Sequence, residues 1–159
     1  MRLRRKSKDI LKQNTVCEEL LEVKFIDCFK GSGVFAVGNI DKGALLTYYE
    51  GELISKEEGD RRHENYEESD GSFLFFFKFK KKNFCIDATR SSGIGRMIND
   101  EHKKPNSKVV VEDNNGQPSL CIYSIRRILR GEEICFDYND PSVPWRKIKA
   151  MGQVAQRVL

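Results

Sequence analysis

The sequence predicts a mainly β domain with a few short helices, and three observations support this fold class. Short runs rich in Val, Ile, Phe and Tyr recur along the chain, separated by turn-forming Gly, Asp and Asn residues. Helix-start patterns are few, and the clearest one precedes residues 56–68. The length of 159 residues, with no repeat and no linker, indicates one domain large enough to bury a core.

Local patterns place the elements in chain order. Ser55-Lys-Glu-Glu58 has the form of a capping box, which predicts a surface helix over residues 56–68. Asn114-Asn115-Gly116 lies between two apolar runs and predicts a tight hairpin. Gly95–Asn99 is too short and too glycine-flanked to assign. The predicted strands are Val23–Phe29, Gly33–Val37, Leu45–Tyr49, Glu52–Ile54, Phe73–Phe79, Phe84–Ile86, Asn106–Glu112, Pro118–Ser124 and Glu133–Tyr138.

Composition favours an intracellular protein. No apolar run approaches the length of a membrane span, and no signal-type segment follows the basic residues Met1–Lys8. The five cysteines are odd in number and form no CxxC pair, which favours reduced thiols over a disulfide framework or a zinc site. We therefore expect a cytosolic or nuclear protein without a membrane segment.

Basic residues are clustered in three runs: Arg2–Lys8, Lys78–Lys82 and Arg126–Arg130. The net charge of +4 permits contact with nucleic acid but does not require it. Each run is explained equally simply as a solvated surface, the usual meaning of clustered charge.

Three segments carry candidate chemistry, each with a simpler structural explanation. Gly31-Ser-Gly33 is typical of a turn, or lets backbone amides approach a ligand closely. Phe73–Phe79 contains five phenylalanines, which pack in a core or line a narrow channel able to hold a cation. Phe136-Asp-Tyr138 is typical of a hydrogen-bonded strand end. No Ser–His–Asp or Cys–His set and no metal-ligand spacing is present in the sequence, so we expect no metal site.

Five segments stand in a characteristic order along the chain: Lys30-Gly-Ser-Gly-Val-Phe-Ala36, Tyr49-Glu-Gly-Glu-Leu-Ile54, Cys85-Ile-Asp-Ala-Thr89, Gly95-Arg-Met-Ile-Asn99 and Gly131-Glu-Glu-Ile-Cys-Phe-Asp-Tyr138. Taken together, they resemble a SET domain. The resemblance covers roughly residues 20–147 and is nearest to the histone H4 lysine monomethyltransferases. It places the SET domain at residues 20–142, whereas the sequence pattern alone predicts a basic arm at residues 1–19 and a helical tail at residues 143–159.

The resemblance implies a β-clip fold, in which small curved sheets surround a threaded C-terminal pseudoknot. Gly95–Asn99 would pass beneath the loop that carries Phe136 to Tyr138. The implied reaction is methylation of a lysine side chain with S-adenosylmethionine as the cofactor. The implied substrate lies in a histone tail, similar to that of histone H4. We accordingly expect a nuclear monomer that binds a histone tail or nucleosome, with nucleic acid contacted through the basic arm Arg2–Lys8.

The resemblance also implies a role for individual residues. Tyr138 matches the catalytic tyrosine, Tyr49 the tyrosine that positions the lysine amine, and Phe136 a wall of the channel. Gly33 would allow the turn of the glycine segment, Asp100 would meet the adenine through its backbone, and Trp145 would cover the adenine. The complete cofactor-binding set is Lys30, Gly31, Ser32, Gly33, Phe73, Asn99, Asp100 and Trp145.

Four positions depart from the family pattern. Asn99-Asp100-Glu101 replaces Asn-His-Ser, and two outcomes are open. If the histidine acts through its backbone, cofactor binding survives, but if its side chain braces the Tyr138 loop, an aspartate loosens that loop. Phe73 and Phe136 each lack a hydroxyl that relatives carry, and Phe136 predicts addition of a second methyl group. The alternative function is a weakened or inactive SET module that binds peptide or chromatin.

Overall fold

A computed structural model describes residues 16–66 and 73–139. Strands dominate these ranges, with one α-helix and two short 3₁₀ turns at Glu18–Leu20 and Ile94–Met97, so the predicted mainly β fold class is confirmed. The elements are β1 Leu21–Asp27, β2 Gly31–Ala36, β3 Leu45–Tyr48, β4 Glu52–Ser55, α1 Lys56–Asn65, β5 Leu74–Phe79, β6 Lys82–Asp87, β7 Asn99–Asp100, β8 Ser107–Asn114, β9 Gln117–Ser124 and β10 Glu133–Phe136.

The described strands form two sheets. The larger sheet has the order β1-β2-β10-β8-β9-β3, and the short strand β7 pairs in parallel with β10. The smaller sheet has the order β4-β6-β5. Because β10 is the last of the described strands but lies between β2 and β8, the larger sheet is complete only when residues 133–136 are in place.

Helix α1 begins where the sequence predicts. The Ser55 hydroxyl accepts a hydrogen bond from the Glu58 amide at 3.1 Å, which satisfies one of the unpaired donors of the first turn. The helix ends at Asn65, three residues before the predicted end. A Cβ at the buried Gly59 would lie 2.7 Å from Cε1 of Phe76, so the glycine lets α1 lie close to the smaller sheet.

The predicted hairpin at Asn114-Asn115-Gly116 joins β8 to β9. Asn115 and Gly116 have φ values of 52° and 88°, which are the positive values of a type I′ turn. The Asp113 carboxylate accepts a hydrogen bond from the Gly116 amide at 2.7 Å. Strand β10 ends at Phe136, two residues before the predicted end, because the Tyr138 amide bonds to a side chain instead of a neighbouring strand.

The core lies between the sheets and is built from apolar strand residues. Cys85 and Cys121 are buried within it, Cys135 is partly buried, and all five cysteines are free. No helix of residues 16–66 and 73–139 is both long and apolar enough to cross a membrane. The fully buried apolar side chains include Val34, Ile40, Leu46, Ile98, Leu120, Ile122, Ile128, Ile134 and Phe136.

The two ends of the predicted domain organisation fall mostly outside the described residues. This applies to residues 1–15 of the basic arm and to the whole tail from 143 to 159. Residues 17–19, also assigned to the arm, are attached to the larger sheet. The Cys17 amide donates to the Leu45 carbonyl at 2.9 Å, and the Thr47 hydroxyl donates to the Glu18 carboxylate at 2.6 Å.

Candidate active site

Four aromatic rings form a continuous row between the two sheets. The Phe75 ring centre lies 5.3 Å from that of Tyr49 and 6.2 Å from that of Phe136, and Phe136 lies 5.0 Å from Tyr138. Such spacings are typical of favourable tilted aromatic contacts. Of the aromatic strand, Phe75 therefore belongs to this row, whereas Phe77 and Phe79 pack against Phe84. The row forms an apolar wall that carries a tyrosine hydroxyl at each end.

Tyr138 is held by two hydrogen bonds. Its hydroxyl donates to the Ile98 carbonyl at 2.6 Å, and its backbone amide donates to the Asp100 carboxylate at 2.9 Å. Burial, followed by the charge of Asp100, raises the pKa of Tyr138. Burial, followed by Tyr138, raises the pKa of Tyr49. Both hydroxyls therefore stay protonated at neutral pH and act as neutral hydrogen-bonding groups.

The glycine segment lies next to Asn99. Gly31 has a φ of +70° and makes the turn, whereas Gly33 lies within β2, so the prediction that Gly33 makes the turn is wrong. A Cβ at Gly33 would come within 3.0 Å of the Asn99 amide nitrogen, which explains the glycine there by close approach. The Asn99 amide donates to the Ser32 carbonyl at 3.1 Å. Lys30 is exposed at the same turn, and its amide donates to the Asp27 carboxylate.

Strand β7 connects the glycine segment to the aromatic row. Asn99 pairs with Cys135 and Asp100 pairs with Phe136 in parallel register, and the Glu101 amide donates to the Phe136 carbonyl at 3.0 Å. The structure therefore brings Gly31–Gly33, Asn99 and Tyr138 into one region of the molecule, although they are distant in sequence.

The Asp100 side chain braces the Tyr138 loop. It is 8% exposed, and its carboxylate accepts the Tyr138 amide described above. A buried carboxylate requires such partners, since burying an unpaired charge is costly. Of the two outcomes expected for Asp100, loosening of the Tyr138 loop is therefore not observed, because the aspartate side chain itself holds the loop.

A model of the SET domain matches residues 31–139 of the chain, which contain β7, β10 and the whole aromatic row. The chain belongs to the SET-domain family. The β-clip architecture expected from the five ordered segments is thereby confirmed.

Other SET-domain proteins are similar to this chain over much of its length. It is 36% identical over 137 residues to "Histone-lysine N-methyltransferase set-1" of Caenorhabditis elegans, covering 80% of this chain and 56% of that protein. It is 34% identical over 127 residues to "N-lysine methyltransferase KMT5A-B" of Xenopus laevis, covering 74% and 38%. The chain thus spans about half the length of these relatives or less. The crystal structure of CpSET8 from Cryptosporidium is 38% identical with a TM-score of 0.71, covering 82% of this chain and 61% of that one.

Phe73, expected beside the cofactor, lies next to Arg96. The Arg96 guanidinium lies 4.7 Å above the Phe73 ring centre, within the range of a cation–π contact. The same group donates to the carbonyls of Thr89 at 2.8 Å and Ala88 at 3.2 Å. Its Nε atom is buried without a hydrogen-bond partner among the described residues. Trp145, expected over the adenine, lies outside those residues.

Three contributors to the SET-domain site were not identified from the sequence. Phe75 was one member of an undivided aromatic run, and an arginine between Gly95 and Met97 was the only pointer to Arg96. The third contributor is the backbone carbonyl of Ile98, which accepts a hydrogen bond from the Tyr138 hydroxyl. Such a backbone contact cannot be inferred from the type of side chain at position 98. Within residues 16–66 and 73–139, no group of three or more His, Cys, Asp or Glu side chains could hold a metal ion.

Proposed function

We propose that this SET domain transfers a methyl group from S-adenosylmethionine to a lysine side chain in a histone tail similar to that of histone H4. The aromatic row with a neutral tyrosine hydroxyl at each end is the observation that carries the proposal. The names of the relatives support the reaction class, since both are lysine methyltransferases.

The residues around the glycine turn fit a methyl donor of this kind. A Cβ at Gly31 would meet nothing within 4 Å, so its surroundings leave room for a ligand, and the exposed Lys30 ammonium nearby suits a ligand carboxylate. We assign cofactor binding to Lys30, Gly31, Ser32, Gly33, Phe73, Asn99, Asp100 and Trp145. When bound, the cofactor supplies an electrophilic sulfonium methyl group.

The chain's own contribution to the reaction is to position and desolvate the lysine. A lysine has a pKa near 10.4 in water and must lose its proton before it can attack. The apolar rings of Phe75 and Phe136 exclude water from the substrate lysine, which disfavours its charged ammonium form. The Tyr138 hydroxyl donates to Ile98, so its oxygen can accept a hydrogen bond from the amine and orient the lone pair, while Tyr49 holds the amine from the other end. Alignment of this kind lowers the barrier of an in-line displacement.

Phe136 sets the number of methyl groups in this proposal. Its side chain is 1% exposed and forms part of the wall without a hydroxyl. A channel that lacks this hydroxyl holds no water there and has room for a methylated amine. We therefore expect dimethylated product, and Phe136→Tyr should restrict the enzyme to monomethylation. Mass spectrometry of methylated peptide measures this, and strictly monomethyl product from the unmodified enzyme would contradict it.

Two of the acidic residues near the site do not help to attract a basic tail. Glu58 is paired with Arg61 at 2.5 Å and Arg62 at 2.9 Å, and Glu52 is paired with Arg62 at 2.6 Å. Glu50 and Glu57 form no salt bridge within the described ranges, so attraction of a basic tail falls to these two.

The organisation that accompanies this function is also proposed. We propose residues 20–142 as the SET domain, residues 1–19 as a basic arm that contacts nucleic acid, and residues 143–159 as a helical tail. A histone substrate implies a nuclear protein that works on nucleosomes, and we propose that it acts as a monomer.

Labelled methyl transfer onto histone peptides and nucleosomes tests the proposal, with Tyr138→Phe as the control. We expect incorporation that depends on Tyr138, together with cofactor binding in calorimetry. Absence of binding at millimolar S-adenosylmethionine would refute the proposed enzymatic activity. Peptide binding without transfer would instead favour the inactive module that Phe73 and Asp100-Glu101 also suggest.

A further inference from the structure

Four lysines are concentrated at the end of the β5–β6 hairpin. We call this set, consisting of Lys78, Lys80, Lys81 and Lys82, the lysine tip, and all four are exposed. Strands β5 and β6 stay in register up to the pair Phe79 and Lys82. Lys80 and Lys81 therefore make the entire turn between them.

The backbone of this turn is unfavourable for lysine. Lys80 and Lys81 have φ values of 48° and 66°, in the left-handed region that side chains with a Cβ disfavour. The two-residue turn between β8 and β9 uses Asn115 and Gly116, the pair that such a turn prefers. Backbone preference therefore does not explain the lysines, and strain of this kind points to a function.

The base of the hairpin holds the lysine tip firmly in place. The Phe84 ring centre lies 6.0 Å from that of Phe77 and 6.5 Å from that of Phe79. Lys80 is the one tip lysine with an acidic partner in the described ranges, since its ammonium lies 3.1 Å from the Asp113 carboxylate. The tip therefore presents an excess of positive charge at the end of a hairpin whose base is packed by aromatic rings.

We propose that the lysine tip binds the phosphate backbone of duplex DNA. Exposed lysines suit phosphates as point charges, and they neutralise a backbone without reading its sequence. The phenylalanines at the base pack on one another, which is unlike a platform that stacks single-stranded bases. Duplex backbone is thus favoured over single strands and over an apolar protein surface.

The position of the tip permits this contact while the site is occupied. Phe75, in the aromatic row, lies five residues before Lys80 along one extended strand. At about 3.3 Å per residue, the tip lies about 17 Å from the row. A substrate lysine and a neighbouring DNA segment can therefore be engaged together.

Salt-dependent binding to a labelled duplex of about 20 base pairs tests the inference. The variant carries glutamine at all four tip positions, and a matched control carries glutamine at four other exposed lysines, giving the same charge change. Each phosphate contact contributes about −0.9 to the slope of log K against log salt. Loss of three to four contacts should therefore reduce the slope by about 3, against less than 1 for the control. The control positions are Lys42, Lys103, Lys104 and Lys108.

Several results would overturn the inference. If the salt slope falls equally in the tip variant and the control, only net charge matters and the tip is not a binding site. Failure of the unmodified protein to bind the duplex at about 50 mM salt would also contradict the inference. Binding of poly-glutamate in preference to the duplex would assign the tip to an acidic protein surface. A fourfold arginine variant at the tip should keep the slope. Methylation of a short histone peptide should be unchanged in the glutamine variant, so the inference can fail independently of the proposed reaction.

Discussion

Replacing Asp100 separates the two roles of its side chain, which are to fill a buried position and to hold Tyr138. The Asp100 carboxylate accepts the Tyr138 amide at 2.9 Å, and the residue is 8% exposed. A hydrogen bond to a charged acceptor contributes about 1.5–3 kcal/mol to stability, and an abandoned buried donor is penalised by a similar amount. We therefore expect Asp100→Ala to lower the free energy of unfolding by about 2 kcal/mol.

The effect on catalysis should be larger than the effect on peptide affinity. A displacement of about 1 Å at a reacting group reduces rates by about 100-fold, and in Asp100→Ala the Tyr138 amide loses the carboxylate that accepts its hydrogen bond. We expect a fall in kcat of between about 10-fold and 100-fold with a nearly unchanged KM for peptide. Asp100→Asn keeps an oxygen that can accept the same amide, so it should retain most of the activity and stability.

Single-turnover methyl transfer and urea denaturation of both variants provide the measurements. The reasoning is refuted if Asp100→Ala and Asp100→Asn behave alike in both assays, or if neither differs from the unmodified protein.

Two further predictions concern stability. Replacing Lys80 by Asn and Lys81 by Gly relieves the left-handed strain of the β5–β6 turn, so the free energy of unfolding should rise by about 1 kcal/mol. Thermal denaturation measures this, and an unchanged free energy would contradict the claim that the turn is strained. Burial of Asp87 opposes its ionisation, but hydrogen bonds from Thr89, Tyr66 and Arg62 outweigh this and lower its pKa from 3.8 to about 2. This stabilisation, of about 2 kcal/mol, is present above about pH 4 and is lost as the pH falls toward 2. In urea titrations, the difference in unfolding free energy between the unmodified protein and Asp87→Asn should therefore shrink over that interval. A constant difference would show that the charge of Asp87 is not responsible.

The parts of the fold that follow from neighbouring residues were predictable. Ser55 caps α1 through a residue three positions away, and Asn115-Gly116 makes its turn without distant help. The turn at Lys80 and Lys81 has the same geometry, but lysine is not a turn-forming residue, so β6 was expected to begin two residues too late. Local chemistry therefore locates an element only where its residues prefer the conformation they adopt.

The candidate site was predictable in membership but not in its connections. Resemblance to a family named Asn99, Asp100 and Tyr138, but the amide that Asp100 holds depends on how β7 pairs with β10. That pairing joins segments far apart in sequence, and no local pattern specifies its register. Likewise, the carbonyl of Ile98 became part of the site through its position and not through its side chain.

The position of β10 also determines when the site forms during folding. Until β10 inserts between β2 and β8, both of those strands have an unpaired edge, and β7 has no strand to pair with. Such long-range pairing is slow to form, and exposed edges invite association with other chains. A chain emerging from the ribosome therefore brings the Asn99 and Tyr138 halves of its site together in the same late step that completes its sheet. A chain interrupted before residue 133 lacks both Tyr138 and the strand with which Asn99 pairs.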